Sequence, residues 1–392
     1  MSIEKNIDIS FILNHLGEER SNYFDAISPP IIQSSNFQLK DIPTMRRAFS
    51  NEIATHLYTR GNNPTIEILR KKLAALEKAE DALVFGSGIA AVAATFMNVL
   101  KSGDHVICVE SPYSWAYFLL QTYLPKYNIT ATFVDGKSIE AIENAIQPNT
   151  KLLYLESPNT LVLELQDLLE CAKLAKKYEL ITAIDNSYCS PIYQRPIEFG
   201  IDIVIHSVTK YLNGHSDVLA GAICSSKEII KSIFENEFMA FGGIISPHDA
   251  ALVIRGLRTL PIRLERSSQS TQKIVNWLSK HPKVRKIYYP FHPLNPQFEL
   301  AKKQMSGSGG LFSVEFDCDD LDKMEQFVHA LQYFLIAVSW GGHESLMIPT
   351  CGFYNIPNKE NPKLPLSFIR FYVGLEDPDI LINDLENALK LI

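Results

Sequence analysis

No two cysteines in this chain stand at metal-ligand or redox-motif spacing. The six, Cys108, Cys171, Cys189, Cys224, Cys318 and Cys351, are scattered, most of them in apolar runs. They read as reduced, buried thiols, which excludes a disulfide scaffold, predicts no metal centre and points to a cytoplasmic setting. No run approaches the ~20 apolar residues of a membrane helix. The longest, Ile89 to Leu100, is alanine-rich and suits a buried helix. The start, MSIEKNIDISF, lacks the basic flank and apolar core of a signal peptide. There is no basic surplus either: 37 Lys and Arg stand against 44 Asp and Glu, a net charge of -7. That balance argues against nucleic acid and anionic membranes as partners. Internal repeats and low-complexity segments are absent.

What is present is ordinary globular material, 46% hydrophobic over 392 residues, enough for one large domain and a smaller one. Residues 1–60 read as an irregular arm, interrupted by Ser28-Pro29-Pro30 and Ile42-Pro43, which wraps its own large domain or a neighbouring subunit. Regular structure begins after residue 60, and from Ala82 the chain alternates. Asn63 caps a helix with Pro64 in its first turn, and Ile66, Leu69, Leu73 and Leu76 recur at helical spacing. Strands are expected at Ala82–Phe85, His105–Val109, Ala131–Val134, Lys151–Glu156, Ile181–Asp185, Ile201–Ile205 and Val218–Cys224. Helices are expected after Gly88 and over Trp115–Leu124, Ile139–Ile146 and Leu165–Tyr178. Repeated strand-helix-strand order predicts an α/β domain with a mainly parallel sheet, covered on both faces, over 61–258. Residues 259–392 read as a smaller α+β domain. Its helix from Ser246 to about Lys280 breaks near Pro261; strands follow at Leu311–Phe316 and Phe368–Val373, and helices at Leu321–Leu331 and Ile380–Leu391.

The chemistry gathers around Ile201 to Gly221, IDIVIHSVTKYLNGHSDVLAG. An apolar strand runs out into Ser207, Thr209 and Lys210. An amine at the edge of a core is partly desolvated and becomes a nucleophile towards carbonyls, and the two hydroxyls can donate to an anion. That suits a lysine holding an aldehyde cofactor as a Schiff base, though a lysine could also simply follow a strand. Asp185 ends another strand, where a carboxylate could meet a pyridinium nitrogen or merely cap a turn. Gly86-Ser87-Gly88, followed by Ile89, puts free N–H groups at a helix start, fit for a phosphate or for a plain tight turn. Each signal alone is modest; together they match an imine lysine, a ring-nitrogen partner and a phosphate nest. Tyr113, after Glu110-Ser111-Pro112, could stack on a ring or move a proton, or sit in a core or interface. Arg370, inside the apolar strand FIRFYV, needs an anion: a substrate carboxylate or a structural partner. Ser339-Trp340-Gly341-Gly342 allows close backbone approach to a ligand, or a buried indole. Tyr58 and Arg60 lie on a turn.

These motifs resemble the Cys/Met-metabolism family of pyridoxal-phosphate enzymes, the trans-sulfuration enzymes. YTRGNNPT at Tyr58–Thr65, ESP at Glu156–Pro158, SVTKYLNGHSD, RGLRTL at Arg255–Leu260, GSGGLFS at Gly307–Ser313, SWGGHESL and IRFYVGLED occur in family order. The resemblance runs from about Ser28 to the C-terminus. It implies the aspartate-aminotransferase-like fold type I, with a mainly parallel seven-stranded sheet. It also implies pyridoxal 5'-phosphate on Lys210, Asp185 on the ring nitrogen and Tyr113 on the ring face. The phosphate is then held by Ser87, Gly88, Ile89, Ser207 and Thr209, joined by Tyr58 and Arg60 of a neighbouring subunit. Ser339, Trp340 and Arg370 bind an amino-acid substrate. The expected assembly is a homotetramer, a dimer of dimers with shared sites.

Departures within the family bear on the reaction. Many γ-acting members carry a glutamate before a Ser-Leu-Gly-Gly turn; this chain has Val338 and then Ser339-Trp340. The tryptophan form is similar to bacterial cystathionine β-lyases, as are Thr160-Leu161 in place of Asn-Pro and Ser114-Trp115-Ala116 after Tyr113. Arg60-Gly61-Asn62-Asn63-Pro64-Thr65 is instead the common family form. The resemblance thus implies β-elimination of L-cystathionine or related cysteine S-conjugates to homocysteine or another thiol, pyruvate and ammonia. The alternative is a γ-synthase, γ-lyase or sulfhydrylase.

Overall fold

The structure, a computed structural model, describes residues 8–392. Seven short apolar segments form one sheet: β1 (Asp81–Phe85), β2 (His105–Val109), β3 (Thr130–Val134), β4 (Thr150–Glu156), β5 (Ile181–Asp185), β6 (Ile203–Ser207) and β7 (Gly221–Ser225). Their order is β1-β7-β6-β5-β4-β2-β3, parallel except for β7, which runs antiparallel to both neighbours. The largely apolar, buried strands require cover on both faces. Helix Pro64–Glu77 and helix Pro247–Leu257 lie on one side, and helix Gly88–Val99 with helix Lys227–Ile233 on the other, giving two separate apolar cores.

The helices begin where side chains take up their free N–H groups. Asn63 accepts from Thr65 N at 2.9 Å, Ser87 from Ala90 N at 3.2 Å and Asp167 from Glu170 N at 3.2 Å. The expected break near Pro261 falls at Arg258–Thr259, between helix Pro247–Leu257 and helix Leu260–Leu278. Where one helix was expected over Trp115–Leu124, the chain winds as a short α-helix, Ser114–Phe118, a wider π-type turn, Leu119–Tyr123, and a tight 3-10 turn, Leu124–Tyr127.

A second sheet has order β10-β11-β12-β9-β8, from β8 (Val284–Tyr288), β9 (Leu311–Phe316), β10 (Leu335–Ile336), β11 (Leu346–Pro349) and β12 (Phe368–Tyr372). It packs on its own core with helices Leu260–Leu278, Leu321–Ala330 and Pro378–Leu389. The arm is less irregular than its prolines suggest. Pro43 sits in the first turn of a helix, Ile42–Ser50, where its missing N–H costs nothing, and Asp41 caps that helix from Thr44 N. A further helix, Ile9–Asn14, is clamped from below: buried Lys72 Nζ donates to Ile12 O at 2.9 Å and Leu13 O at 3.1 Å and pairs with Glu18 at 3.0 Å. Among the described residues no helix is long and apolar enough to cross a membrane.

Candidate active site

Parallel strands end side by side, so β4, β5 and β6 deliver Glu156, Asp185 and Ser207 to one edge; Glu156 and Asp185 are direct register partners. After β6 the chain turns, with Lys210 N donating to Ser207 O at 3.2 Å. Lys210 Nζ then lies 2.5 Å from Ser339 Oγ and 5.6 Å from the centre of the Trp340 ring. Burial and the nearby Arg370 cation lower the lysine to about 8 against the opposing pull of Asp185. About a tenth of it is therefore an unprotonated amine at pH 7, against a trace for an ordinary lysine, as a nucleophile for an aldehyde must be.

The loop opposite is shaped for close approach. A Cβ on Gly341, whose φ is +90°, would fall 2.9 Å from the Lys210 Cα, so glycine is required on both steric and conformational grounds. Ser339 holds φ +80° without being glycine, a strained conformation fixed by its bonds to Lys210 and to Arg370, whose Nη2 donates to Ser339 O at 3.3 Å. Arg370 Nη1 reaches Thr160 O at 3.5 Å. Burial brings the guanidinium down to about 10, opposed by Glu156. Both neutral contacts are long, leaving the fork poised for a carboxylate.

On the strand edge, Asp185 Oδ1 accepts from Ser187 N at 2.9 Å. Burial raises its carboxyl even so, and a cationic partner such as a protonated ring nitrogen would hold it ionised. Tyr113 N donates to Glu156 Oε2 at 2.6 Å, and burial followed by the Asp185 and Glu156 charges raises the phenol. The turn before helix Gly88–Val99 presses on β6 and β7. A Cβ on Gly88 would come within 3.1 Å of Ser207 Cβ and Oγ, and one on Gly221 within 2.2 Å of Ser87 O. The Gly88 and Ile89 N–H groups and the Ser207 hydroxyl thus share one small cradle, which fits a phosphate. Thr209, expected there too, exchanges bonds with Ala220, accepting from its N at 3.0 Å and donating to its O at 3.2 Å.

The fold therefore gathers Ser87, Gly88, Ile89, Tyr113, Asp185, Ser207, Thr209, Lys210, Ser339, Trp340 and Arg370 into one crevice. Tyr58 and Arg60 stand apart. Tyr58 is 44% exposed, Arg60 lies 5.2 Å over its ring, and among the described residues neither side chain bonds to the Lys210 group. Sequence reasoning missed Glu156 as a site residue, although it ends an apolar strand just as Asp185 does.

The profile of Cys/Met metabolism PLP-dependent enzymes matches residues 11–390. The chain belongs to this family. It is 36% identical to the L-methionine gamma-lyase of Pseudomonas deceptionensis over 392 residues, covering 98% of each chain. It is 37% identical to the cystathionine beta-lyase of Coxiella burnetii, covering 96% of each. The crystal structure of metB from Corynebacterium glutamicum superposes with a TM-score of 0.91 at 32% identity over 99% of both chains. Fold type I and pyridoxal phosphate follow from membership, and the relatives' names set the chain among PLP-dependent enzymes that cleave carbon–sulfur bonds.

Proposed function

We propose that the protein is a carbon–sulfur lyase of the cystathionine β-lyase type, converting L-cystathionine or a related cysteine S-conjugate, with water, to a thiol, pyruvate and ammonia. The observation that carries this reading is the stretch Val338-Ser339-Trp340 beside Lys210. With Thr209, Leu219, Ala337 and Leu346 it lines a cavity of about 390 Å³. Two carboxylates also line it, but Asp217 accepts from Asn213 at 2.8 Å and Glu344 from Ser216 at 2.6 Å. Cleavage at Cβ needs one proton removed, from Cα. Cleavage at Cγ needs a further proton moved at Cβ, and uncharged Val338 offers no acceptor for it.

When bound, pyridoxal phosphate would supply an electron-withdrawing ring that stabilises the charge left at the substrate's Cα. Lys210 anchors the cofactor between turnovers. Its amine would take the substrate's Cα proton, and its lowered basicity favours the accepting form. Asp185 keeps the ring nitrogen protonated. Ser87, Gly88, Ile89 and Ser207 would hold the phosphate, with Thr209 joining them if its hydroxyl leaves Ala220, and Tyr113 would cover the ring. Arg370 and Ser339 fix the substrate carboxylate, while Trp340 excludes water from the leaving group.

Tyr58 and Arg60 serve the neighbouring subunit's phosphate in a homotetramer with shared sites. Phe24, Ile27 and Phe49, each more than 60% exposed on the arm, suit burial against a second copy. The arm (1–60), the large domain (61–258) and the C-terminal domain (259–392) are the units of this reading.

A γ-acting enzyme is the second reading, favoured by the 36% identity to an L-methionine gamma-lyase and by the Arg60–Thr65 turn. The keto acid formed from cystathionine separates them: pyruvate supports β-cleavage, and 2-oxobutyrate alone would overturn it.

A further inference from the structure

We propose that Glu156 is a positioning residue: it pins the turn that presents Tyr113 and couples that turn, through Thr160, to Arg370 and Lys210. The proposal rests on the roles given above to Tyr113, Arg370 and Lys210. Three observations support it. Glu156 ends β4 only 5% exposed, so its carboxyl has few partners beyond the site itself. Its Oε2 accepts from Tyr113 N at 2.6 Å. The turn so held contains Ser111 at φ +56°, a left-handed conformation that a serine does not keep unaided. On the other side Thr160 lies against the same carboxyl and favours its ionised form. Thr160 O takes Arg370 Nη1 at 3.5 Å, Arg370 Nη2 reaches Ser339 O at 3.3 Å, and Ser339 Oγ meets Lys210 Nζ at 2.5 Å. A chain of contacts thus runs from Tyr113, proposed to cover the ring, to Lys210, proposed to move the proton.

The anchor does not depend on charge. Burial, followed by repulsion from Asp185, raises Glu156 to about 8. The groups around it are Asp185 on β5, Cys108 on β2, Tyr154 on its own strand, and Tyr113 and Arg370. Near neutrality it is largely the neutral acid, whose carbonyl oxygen still accepts from Tyr113 N–H, and a glutamine oxygen can do the same.

The test compares full-length wild type, Glu156→Gln and Glu156→Ala, each loaded with pyridoxal phosphate. It reads kcat and KM on cystathionine together with the visible circular dichroism that a ring-stacked tyrosine induces in the bound cofactor. Glu156→Gln should stay within ~3-fold of wild type with its dichroism intact. Glu156→Ala should lose ~100-fold in kcat, as a misplacement near 1 Å costs, and most of the induced dichroism, while still binding cofactor. Should Glu156→Ala not fold, Glu156→Asp makes the same comparison, because its shorter chain withdraws the acceptor from Tyr113. An alanine or aspartate variant within ~3-fold of wild type with unchanged dichroism overturns the proposal. So does a glutamine variant as impaired as the alanine one. If wild type makes no pyruvate, the β-lyase reading fails instead, and the dichroism, which needs no turnover, still decides the role of Glu156.

Discussion

The carboxyl edge of the large sheet and the segment Leu335–Ser345 meet at Lys210, yet they are built in opposite ways. On the sheet side, Glu156, Asp185 and Ser207 are the last residues of three adjacent buried strands, held by the backbone ladder. On the other side β10 has only two residues, Val338 is 77% exposed and Ile336 59%, and the chain passes through left-handed Ser339 and Gly341. The contrast separates two jobs. Groups proposed to handle the cofactor stand on the part of the molecule hardest to move. Groups proposed to choose the substrate stand where a substitution disturbs little packing.

That contrast can be broken or sharpened by substitution. The largest effect falls on the sheet side: Lys210→Ala should lower keto-acid formation by at least ~1,000-fold and abolish the yellow of the cofactor-bound lysine. Retained lyase activity would remove the lysine from its assigned place. Asp185→Asn should cost about 100-fold in kcat, since a preorganised charge at the ring is lost. An unchanged kcat would show that the ring nitrogen does not need it. Arg370→Lys should cost roughly 10- to 100-fold in kcat/KM, mostly through KM, because a forked, charge-assisted contact becomes a single point. On the exposed side, Val338→Glu should leave cofactor binding unchanged while moving the pyruvate to 2-oxobutyrate ratio by roughly 10-fold or less. An unmoved ratio would take the choice of bond away from this segment.

The smallest effect is a shift in a midpoint. Lys210 is held near 8, well below the usual ~10.4 of a lysine. Deprotonation makes it reactive, so capture of added cofactor by the apoenzyme should rise as pH climbs through about 8. Arg370 is one cause of that lowering, so Arg370→Ala should move the midpoint upward. A wild-type midpoint near 10 would show the amine to be solvated.

The same division explains what could be read from the sequence. The strands of the large sheet were legible because they are short, mostly apolar and punctuated by caps and glycines. Even there the edges slipped. The expected strand Ile201–Ile205 begins at Ile203, since Asp202 turns to accept from Thr182 N at 2.8 Å and Oγ1 at 2.7 Å. Val218–Cys224 starts late, at Gly221, because Ala220 bonds to Thr209 instead. In the smaller sheet β8, β10 and β11 escaped notice: β8 is half exposed with charged Arg285 and Lys286, and β10 is too short for any period to show. Lys210, Asp185 and Arg370 were legible as charged residues ending or interrupting apolar strands. Glu156 met the same criterion, but its partner, the N–H of Tyr113, is a backbone group that no residue pattern announces.

All six cysteines are buried and unpaired. Burial raises Cys108, Cys189 and Cys224 well above the ordinary thiol range and brings Cys171 to about 12. Thiol–disulfide exchange requires a thiolate within reach of its target. A carbon–sulfur lyase of the kind proposed would expel a thiol at every turnover, the reagent best able to cap its own sulfurs, and here those sulfurs are buried. The protein should therefore withstand added homocysteine, and the disulfide that homocysteine forms in air, without acquiring covalent adducts.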